Sequence, residues 1–225
     1  MIFPPIESAL EEPNGLLAMG GDLSTQRLLL AYASGIFPWF DEQQPILWWS
    51  PNPRAVIYPS ELKIAKSLRS ILKKGLFHVT YDTAFSQVVE ACRAPRKNAQ
   101  GTWITEQIQK SYNELHQQGY AHSIECWQKN KLVGGLYGVT LGKLFFGESM
   151  FSFATNSSKV AFVYLVQHLA SFGFPLIDCQ VPNSHLESLG STTIPRSEFK
   201  ILLKHYASFP RDDAPWHTPF SLFFD

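Results

Sequence analysis

Residues 121–149 read AHSIECWQKNKLVGGLYGVTLGKLFFGES. This stretch contains three runs with the composition of β-strands, AHSIECW, KLVGGLYGVT and KLFFGES. Two short segments separate these runs, first QKNK and then Leu141-Gly142. Because strands joined by tight turns run in opposite directions, the stretch predicts an antiparallel meander.

Helical patterns lie on both sides of this meander. Apolar spacing and capping signals predict five helices, at 62–74, 82–92, 105–117, 158–172 and 196–205. Further strands are expected at 77–80 and at FPLIDC, residues 174–179. Because helices bury their apolar sides against a sheet, we predict an α+β fold in which a mixed sheet is flanked by helices.

The N-terminal region has a different composition from the rest. Seven prolines interrupt residues 1–55 and leave one helical pattern at 24–33. An aromatic cluster follows, made of Phe37, Trp39, Phe40, Trp48 and Trp49. Such a cluster forms either a small core or a surface that faces a ligand. We predict a small N-terminal domain at 1–60 and a larger domain at 61–225.

Composition limits the partners of the chain. Its 225 residues are 45% hydrophobic and include 19 positive and 19 negative side chains. No overall field therefore draws it to nucleic acid or to a membrane, and such a partner needs a local patch. Three cysteines and the lack of a secretory signal predict a cytoplasmic protein. Gln167 and His168 interrupt the longest uncharged run, which favours a buried helix over a membrane span.

The helix predicted at 62–74 has a basic face. Five positive side chains fall within roughly 140° of a helical wheel, and these are Lys63, Lys66, Arg69, Lys73 and Lys74. A face of this kind is either solvated or binds phosphate groups, and the lack of acidic residues on it favours phosphate. The loop that follows the next helix adds charge and a stacking surface through Arg93, Arg96, Lys97 and Trp103.

Two other stretches contain candidate polar groups. FFGESMFS, residues 145–152, places Glu148 among aromatic residues at a strand end. There it either faces water or lines a pocket that is apolar apart from one carboxylate. LIDCQVPNSH, residues 176–185, places Asp178 and Gln180 on one face of a strand, because side chains alternate along a strand.

Three chemistries could use LIDCQVPNSH. A zinc site needs four nitrogen or sulfur ligands at short spacing, and Cys179 with His185 has no second pair nearby. A nucleophilic cysteine needs a basic partner, whereas Cys179 lies beside Asp178 and points to the opposite face. The remaining groups, Asp178, Gln180 and Asn183, suit transfer of an acyl group from an activated donor to an amine. We expect neither a metal nor a cofactor.

Several long motifs resemble one known family. They are EPNGLLAMGGDLS, GIFPWF, ILWWSPNPRAV, GTWIT, AHSIE, GGLYGV, FFGESMFS, NSSK and LIDCQVPNSHLESLG, in this order between residues 12 and 196. Together they resemble the leucyl/phenylalanyl-tRNA–protein transferase family. The resemblance implies a small N-terminal domain packed on an acyltransferase domain of the Gcn5-related N-acetyltransferase type. The implied reaction moves Leu, Phe or, less well, Met from its tRNA to the N-terminal Arg or Lys of a protein, which marks that protein for degradation through the N-degron pathway.

The resemblance also implies roles for individual residues. Asp178 and Gln180 match the catalytic pair of the family, and Asn183 matches a supporting amide. Trp39 and Trp103 match the aromatic residues that hold the terminal adenosine of the tRNA, whose acceptor arm would bind the basic face. The aminoacyl pocket would comprise Leu136, Phe145, Glu148, Met150, Leu165 and Leu169. In this sequence Leu136 replaces a Met, and Leu165 and Leu169 replace Phe, of well-known members.

The residues and the resemblance agree on a mechanism. An aminoacyl ester is already activated, so the enzyme needs to align it with a neutral amine and to stabilise the oxyanion. Our hypothesis is that Asp178, through Gln180, draws a proton from the amine while Asn183 fixes the geometry. An acetyl-coenzyme A N-acetyltransferase is the alternative enzyme, but the Arg/Gln-x-x-Gly-x-Gly/Ala loop for the pyrophosphate is lacking. A non-catalytic RNA-binding protein would leave the polar pair unexplained. We expect a monomer.

The pocket formed around FFGESMFS is expected to select side chains by their shape. Leu, Phe and Met have a methylene at Cβ, whereas Ile has a second carbon there that would press on the strand backbone at 147–149. Such an overlap costs roughly 1 to 3 kcal/mol, so Leu-tRNA should be used at least ~10-fold better than Ile-tRNA. Transfer rates at matched tRNA binding test this, and equal rates would show that the pocket selects for hydrophobicity alone.

Overall fold

A seven-stranded sheet forms the centre of the fold. The computed structural model describes residues 2–94 and 103–220. The first half of the chain contains β1 (Leu16–Met19), α1 (Thr25–Ala33), β2 (Phe37–Pro38), β3 (Leu47–Trp49), β4 (Arg54–Ile57), α2 (Lys66–Lys73), β5 (His78–Tyr81), α3 (Phe85–Arg93) and α4 (Glu106–Gln117). The second half contains β6 (Ala121–Gln128), β7 (Lys131–Leu141), β8 (Leu144–Ser152), α5 (Ser157–Ser171), β9 (Leu176–Gln180), α6 (Ser184–Glu187), β10 (Thr192–Ile194) and α7 (Arg196–Tyr206).

The large sheet has the strand order β10-β4-β9-β8-β7-β6-β5. Its β6, β7 and β8 form the predicted antiparallel meander. Lys129 and Asn130 both have positive φ, as a tight two-residue turn between β6 and β7 requires. The helix α5 connects β8 to β9, which pair in parallel because the chain crosses over the sheet between them. The prediction of an α+β chain with a mixed sheet flanked by helices is confirmed.

Helices cover both faces of the large sheet. Side chains of α1, α3, α4 and α7 pack in one hydrophobic core, and side chains of α2 and α5 pack in a second one. Neighbouring strand residues alternate between the two cores. Leu136 and Phe145 belong to the core of α5, whereas Tyr137 and Phe146 belong to the core of α1 and α4.

A three-stranded sheet of β1, β3 and β2 forms much of the N-terminal region. The next strand, β4, leaves this region and inserts between β9 and β10 of the large sheet. The division of the chain at residue 60 stays a prediction. Because β4 begins at Arg54 and is fully part of the large sheet, we propose that the small domain ends shortly before it.

Two helices begin later than predicted from the sequence. The segment before α2 does not continue the helix, because the amide of Lys63 donates to Leu189 O at 2.9 Å, which fixes this segment against the loop after α6. Lys63 is exposed, but it lies outside α2, which contains Lys66, Arg69 and Lys73 and ends just before Lys74. The helix α3 begins at Phe85 because Asp82 has a φ of 54°, which no α-helix allows.

Two expectations concern other parts of the chain. Arg96 and Lys97, predicted to add positive charge, lie outside the described residues. Within the described ranges, no helix combines the length and the apolar character needed to cross a bilayer.

Candidate active site

A cavity of about 610 Å³ opens where β8 and β9 separate. The two strands pair from Leu144 opposite Leu176 to Phe146 opposite Asp178, and the pairing ends there. The residues that follow, including Glu148 and Gln180, line the cavity. The loss of pairing between two neighbouring strands thus creates a cleft in which a ligand can lie within the sheet.

Most of the predicted site residues meet at this cavity. Its lining includes Trp39, Trp103, Leu136, Phe145, Glu148, Met150, Leu165, Asp178, Gln180 and Asn183. Leu169, which was predicted to line the aminoacyl pocket, is fully buried in the core beneath α5 and is not part of the lining. It lies one helical turn beyond Leu165, so the cavity ends between these two turns of α5.

Several lining residues were missed by the sequence reasoning. Phe162 lies one turn before Leu165 on the same face of α5, and the 3.6-residue period could have identified it. Ile177 and Leu186 add apolar surface, and Tyr137 and His185 add polar groups. No spacing rule connects these four residues to the cavity, because they come from three different elements of the fold.

Glu148 is a partly buried carboxyl group that accepts three hydrogen bonds from other described residues. Tyr32 Oη donates to its Oε1 at 2.8 Å, Tyr112 Oη donates to its Oε2 at 2.9 Å, and Gln180 Nε2 donates to Oε1 at 2.7 Å. All three donors are neutral. Burial raises the pKa of Glu148 to about 7, the charge of Asp178 acts in the same direction, and the three hydrogen bonds lower the pKa. Glu148 can therefore take up or release a proton near neutral pH.

Asp178 is paired with a buried cation. Arg54 Nε donates to Asp178 Oδ1 at 2.8 Å, and Arg54 Nη2 donates to Oδ2 at 2.6 Å. Both side chains are only 1% exposed. The guanidinium also lies against the rings of Phe37 and Phe199, at 4.8 and 4.7 Å from their centroids. The bidentate geometry fixes the orientation of the Asp178 carboxylate.

The conformation of Gln180 depends on Asp178. The amide N–H of Gln180 donates to Asp178 Oδ1 at 2.9 Å, and Gln180 has a φ of 63°. This left-handed conformation is rare for residues other than glycine. It ends β9 and leaves the side chain of Gln180 pointing to Glu148, not to Asp178. Gln180 thus contacts both carboxylates, since its backbone N–H donates to Asp178 and its side chain donates to Glu148.

The other candidate groups of LIDCQVPNSH are Asn183 and Cys179. Asn183 caps α6, because its Oδ1 accepts from Leu186 N at 2.9 Å, and it also lines the cavity. Cys179 is 8% exposed, and burial followed by the charge of Asp178 raises the pKa of its thiol. A thiolate nucleophile is accordingly disfavoured at this position.

The predicted aromatic residues lie at the cavity, and three of the predicted basic residues lie on α2. Trp39 is 47% exposed at the cavity, and its carbonyl accepts from Trp49 Nε1 at 2.6 Å. Trp103 lines the same cavity. On α2, Lys66, Arg69 and Lys73 are exposed, while Leu68 and Leu72 are buried. In the part of the chain that the structure describes, no cluster of three or more His, Cys, Asp or Glu residues could hold a metal ion.

Comparisons with known proteins agree with the resemblance in the motifs. The family model described as leucyl/phenylalanyl-tRNA protein transferase matches residues 56–204, and the model for its N-terminal domain matches residues 21–52. The chain belongs to this transferase family. It is therefore an aminoacyltransferase, and its substrates are an aminoacyl-tRNA and a protein.

Relatives of the enzyme are similar over nearly their whole length. The leucyl/phenylalanyl-tRNA–protein transferase of Cellvibrio japonicus is 57% identical over 216 residues, which are 96% of this chain and 92% of the relative. The transferase of Azotobacter vinelandii is 56% identical over 95% of this chain and 94% of its own length. A solved structure of L-PGS from Bacillus licheniformis aligns with a TM-score of 0.40 at 12% identity, over 72% of this chain and 52% of that one.

Replacement of Arg54 tests whether the enzyme depends on the bidentate pair. Arg54→Lys keeps the charge but loses the planar fork, and we expect it to lower the free energy of unfolding by about 1.5 to 3 kcal/mol. Arg54→Ala leaves Asp178 buried without its cation and should cost about 3 to 5 kcal/mol. Urea unfolding of each purified variant gives these values.

The matched control for Arg54 is an exposed ion pair. Lys200 Nζ lies 2.5 Å from Glu7 Oε1, and both side chains are more than half exposed. Lys200→Ala should change the free energy of unfolding by less than about 1 kcal/mol. A similar small effect for Arg54→Lys and Arg54→Ala would contradict the structural role assigned to the buried pair.

Proposed function

We propose that the enzyme transfers Leu or Phe, and less well Met, from its tRNA to the N-terminal Arg or Lys of a protein. The observation that carries this proposal is the cavity between β8 and β9, which has mainly apolar walls and two carboxyl groups, Glu148 and Asp178. The apolar walls suit an uncharged, hydrophobic aminoacyl side chain. The polar groups of Glu148 and Gln180 suit the amine and the ester that react.

Further properties follow from the same proposal. The modified protein would be marked for degradation, as the N-degron pathway requires, and the reaction would take place in the cytoplasm, where charged tRNA is available. All three cysteines are buried, and none forms a disulfide within the described residues, which suits a reducing compartment. We propose that the enzyme acts as a monomer.

The catalytic domain is proposed to have the architecture of Gcn5-related N-acetyltransferases. The parallel pair of β8 and β9, connected by α5 and separating at a ligand cavity, supports this assignment. An acetyl-coenzyme A donor is not favoured, because the segment between β8 and α5 reads FATN and lacks the glycines that let backbone N–H groups approach a pyrophosphate.

The positions of the two carboxylates favour different roles in the transfer. Both oxygens of Asp178 accept hydrogen bonds from the Arg54 guanidinium, so Asp178 is poorly placed to draw a proton through Gln180. We propose instead that Asp178 positions Gln180 and that Glu148 is the proton acceptor. A group with a pKa near 7 is well matched to this task at neutral pH. Asn183 would orient the substrates through its amide nitrogen.

The tRNA is proposed to contact two surfaces. Trp39 and Trp103 would stack on the terminal adenosine, since both line the cavity where the aminoacyl ester must lie. The exposed basic side chains of α2 would bind phosphates of the acceptor arm, together with Lys63 and Lys74.

The catalytic assignment can be tested at β9. Gln180→Ala and Asp178→Asn should each lower the single-turnover rate of leucine transfer at least ~100-fold, because each removes a group that positions the reacting atoms. Cys179→Ala should keep more than about a tenth of the wild-type rate, since the thiol takes no part in acid-base chemistry. An inactive Cys179→Ala enzyme beside active Gln180→Ala and Asp178→Asn enzymes would indicate a covalent mechanism.

The basic face of α2 can be tested through the salt dependence of binding. Replacing Lys66, Arg69 and Lys73 by Ala should weaken aminoacyl-tRNA binding and reduce the slope of log K against log salt by up to ~0.7 to 0.9 per lost phosphate contact. The control replaces three exposed lysines elsewhere, Lys129, Lys131 and Lys204, and so removes the same charge. If both triple variants have the wild-type slope, the α2 face is solvated and does not bind phosphate.

A further inference from the structure

Three oxygen-bearing groups form a closed ring beside the cavity. The hydroxyl groups of Tyr32 and Tyr112 each contact one oxygen of Glu148, and the two hydroxyls also contact each other. Tyr32 comes from α1 and Tyr112 from α4, and both side chains are fully buried. Each of the three groups therefore contacts both of the others. Two tyrosines that only donate to a carboxylate need not contact each other.

The protonation state of Glu148 determines how many hydrogens are available for the three contacts of this ring. When Glu148 is ionised, the two hydroxyls supply two hydrogens for three contacts, and the contact between the two tyrosine oxygens is left without one. When Glu148 carries a proton, three hydrogens fill three contacts, and each group donates once and accepts once. The ring is therefore compatible with both protonation states of Glu148, since the ionised group accepts from both hydroxyls and the protonated group can donate to one of them.

The two carboxylate oxygens differ in the space left for a proton. Among the hydrogen bonds of the described residues, Oε1 of Glu148 accepts two, from Tyr32 and Gln180, whereas Oε2 accepts one, from Tyr112. Oε2 consequently has a lone pair available. Since Glu148 lines the cavity, this oxygen is the one suited to take a proton from a bound amine.

Other groups face Glu148 from the surrounding elements. Tyr137 approaches from β7, and its hydroxyl is buried without a hydrogen-bond partner in the described part of the chain. Asp178 approaches from β9 and is paired with Arg54 of β4. Burial raises the pKa values of Tyr32 and Tyr112 well above the ordinary value, so both hydroxyls keep their hydrogens throughout the working pH range.

We propose that Tyr32 and Tyr112 are positioning residues that allow Glu148 to hold the proton of the attacking amine until the departing ribose oxygen takes it. In the transfer, the amine nitrogen bonds to the ester carbon, and the bond from this carbon to the ribose oxygen breaks. The nitrogen loses one proton and the ribose oxygen gains one, so no further reactant is needed. This inference rests on the proposed function, in which Glu148 is the proton acceptor.

The pH dependence of transfer tests the ring. In the wild-type enzyme, kcat/KM for an Arg-initiated peptide should decrease at pH values below about 7, because protonated Glu148 cannot accept the amine proton. This decrease is the acidic limb of the pH profile. Tyr32→Phe and Tyr112→Phe each remove a donor that lowers the pKa of Glu148. This acidic limb should therefore move to higher pH by about one unit in either variant.

The control for this experiment is Tyr137→Phe. It removes a buried hydroxyl without a hydrogen-bond partner in the described residues, so the acidic limb should stay at the wild-type pH. The same peptide is used throughout, so ionisation of its own amine contributes equally to every profile. Rates that fall equally at all pH values in Tyr32→Phe and Tyr112→Phe, with the limb unmoved, would reduce the two tyrosines to packing residues and overturn the inference.

A direct titration makes the result independent of activity. Carbon-13 labelling of glutamate carboxyls, with the Glu148 signal assigned through Glu148→Gln, should show this group titrating near pH 7 in the wild-type protein and at higher pH in Tyr32→Phe. Titration at an unchanged pH in folded Tyr32→Phe and Tyr112→Phe would refute the ring. A wild-type enzyme that transfers no leucine at pH 8 would refute the proposed function instead, so the two failures are distinguishable.

Discussion

The arrangement of the site depends on one buried ion pair, between Arg54 and Asp178. Two opposite charges that are both nearly excluded from solvent are stable only if each keeps its partner and its hydrogen bonds. Arg54 meets this condition with the carboxylate of Asp178, the carbonyl of Gly35 and the rings of Phe37 and Phe199. The pair therefore connects the N-terminal region, β9 and α7 at a single point, and Gln180 takes its unusual backbone conformation from that point.

The two carboxylates of the site show how environment separates chemically identical groups. Asp178 is buried beside a permanent cation, whereas Glu148 is partly buried among phenols and an amide that have no charge. The first arrangement serves to hold backbone and side chain in place. The second places the pKa of Glu148 near neutral pH, which suits the acid-base role proposed for this group. Gln180 lies between them, so Asp178 fixes the position of a residue that donates a hydrogen bond to Glu148.

Regular patterns account for the parts of the fold that could be predicted. The meander, the crossover helix and the strand that contains Asp178 follow from alternation, turn residues and helical spacing, which act over a few residues. The late start of α2 could not be predicted, because a hydrogen bond to Leu189, far along the chain, keeps the segment before Lys66 out of the helix. The predicted cavity residues were found mainly through the motifs of the resemblance. Leu169 came from the same resemblance, and it is absent from the lining because the cavity ends one turn before it on α5, a depth that motifs do not give. Arg54, Tyr32 and Tyr112 were missed, since their contacts join elements that are distant in sequence. A charged residue inside an apolar strand was the one available signal for Arg54.

The position of β4 has a consequence for synthesis of the enzyme. This strand, completed within the first 60 residues, pairs on one side with β9 and on the other with β10, and Arg54 at its start packs against Phe199 of α7. While the chain leaves the ribosome, β4 must therefore wait for more than 100 residues before its neighbours exist, and these long-range pairings make folding slow compared with folding through local contacts. A nascent or truncated chain that stops before α7 contains every residue that lines the cavity but lacks part of the cage around the Arg54 guanidinium. Completion of the site therefore requires residues that are synthesised after all of those that line the cavity.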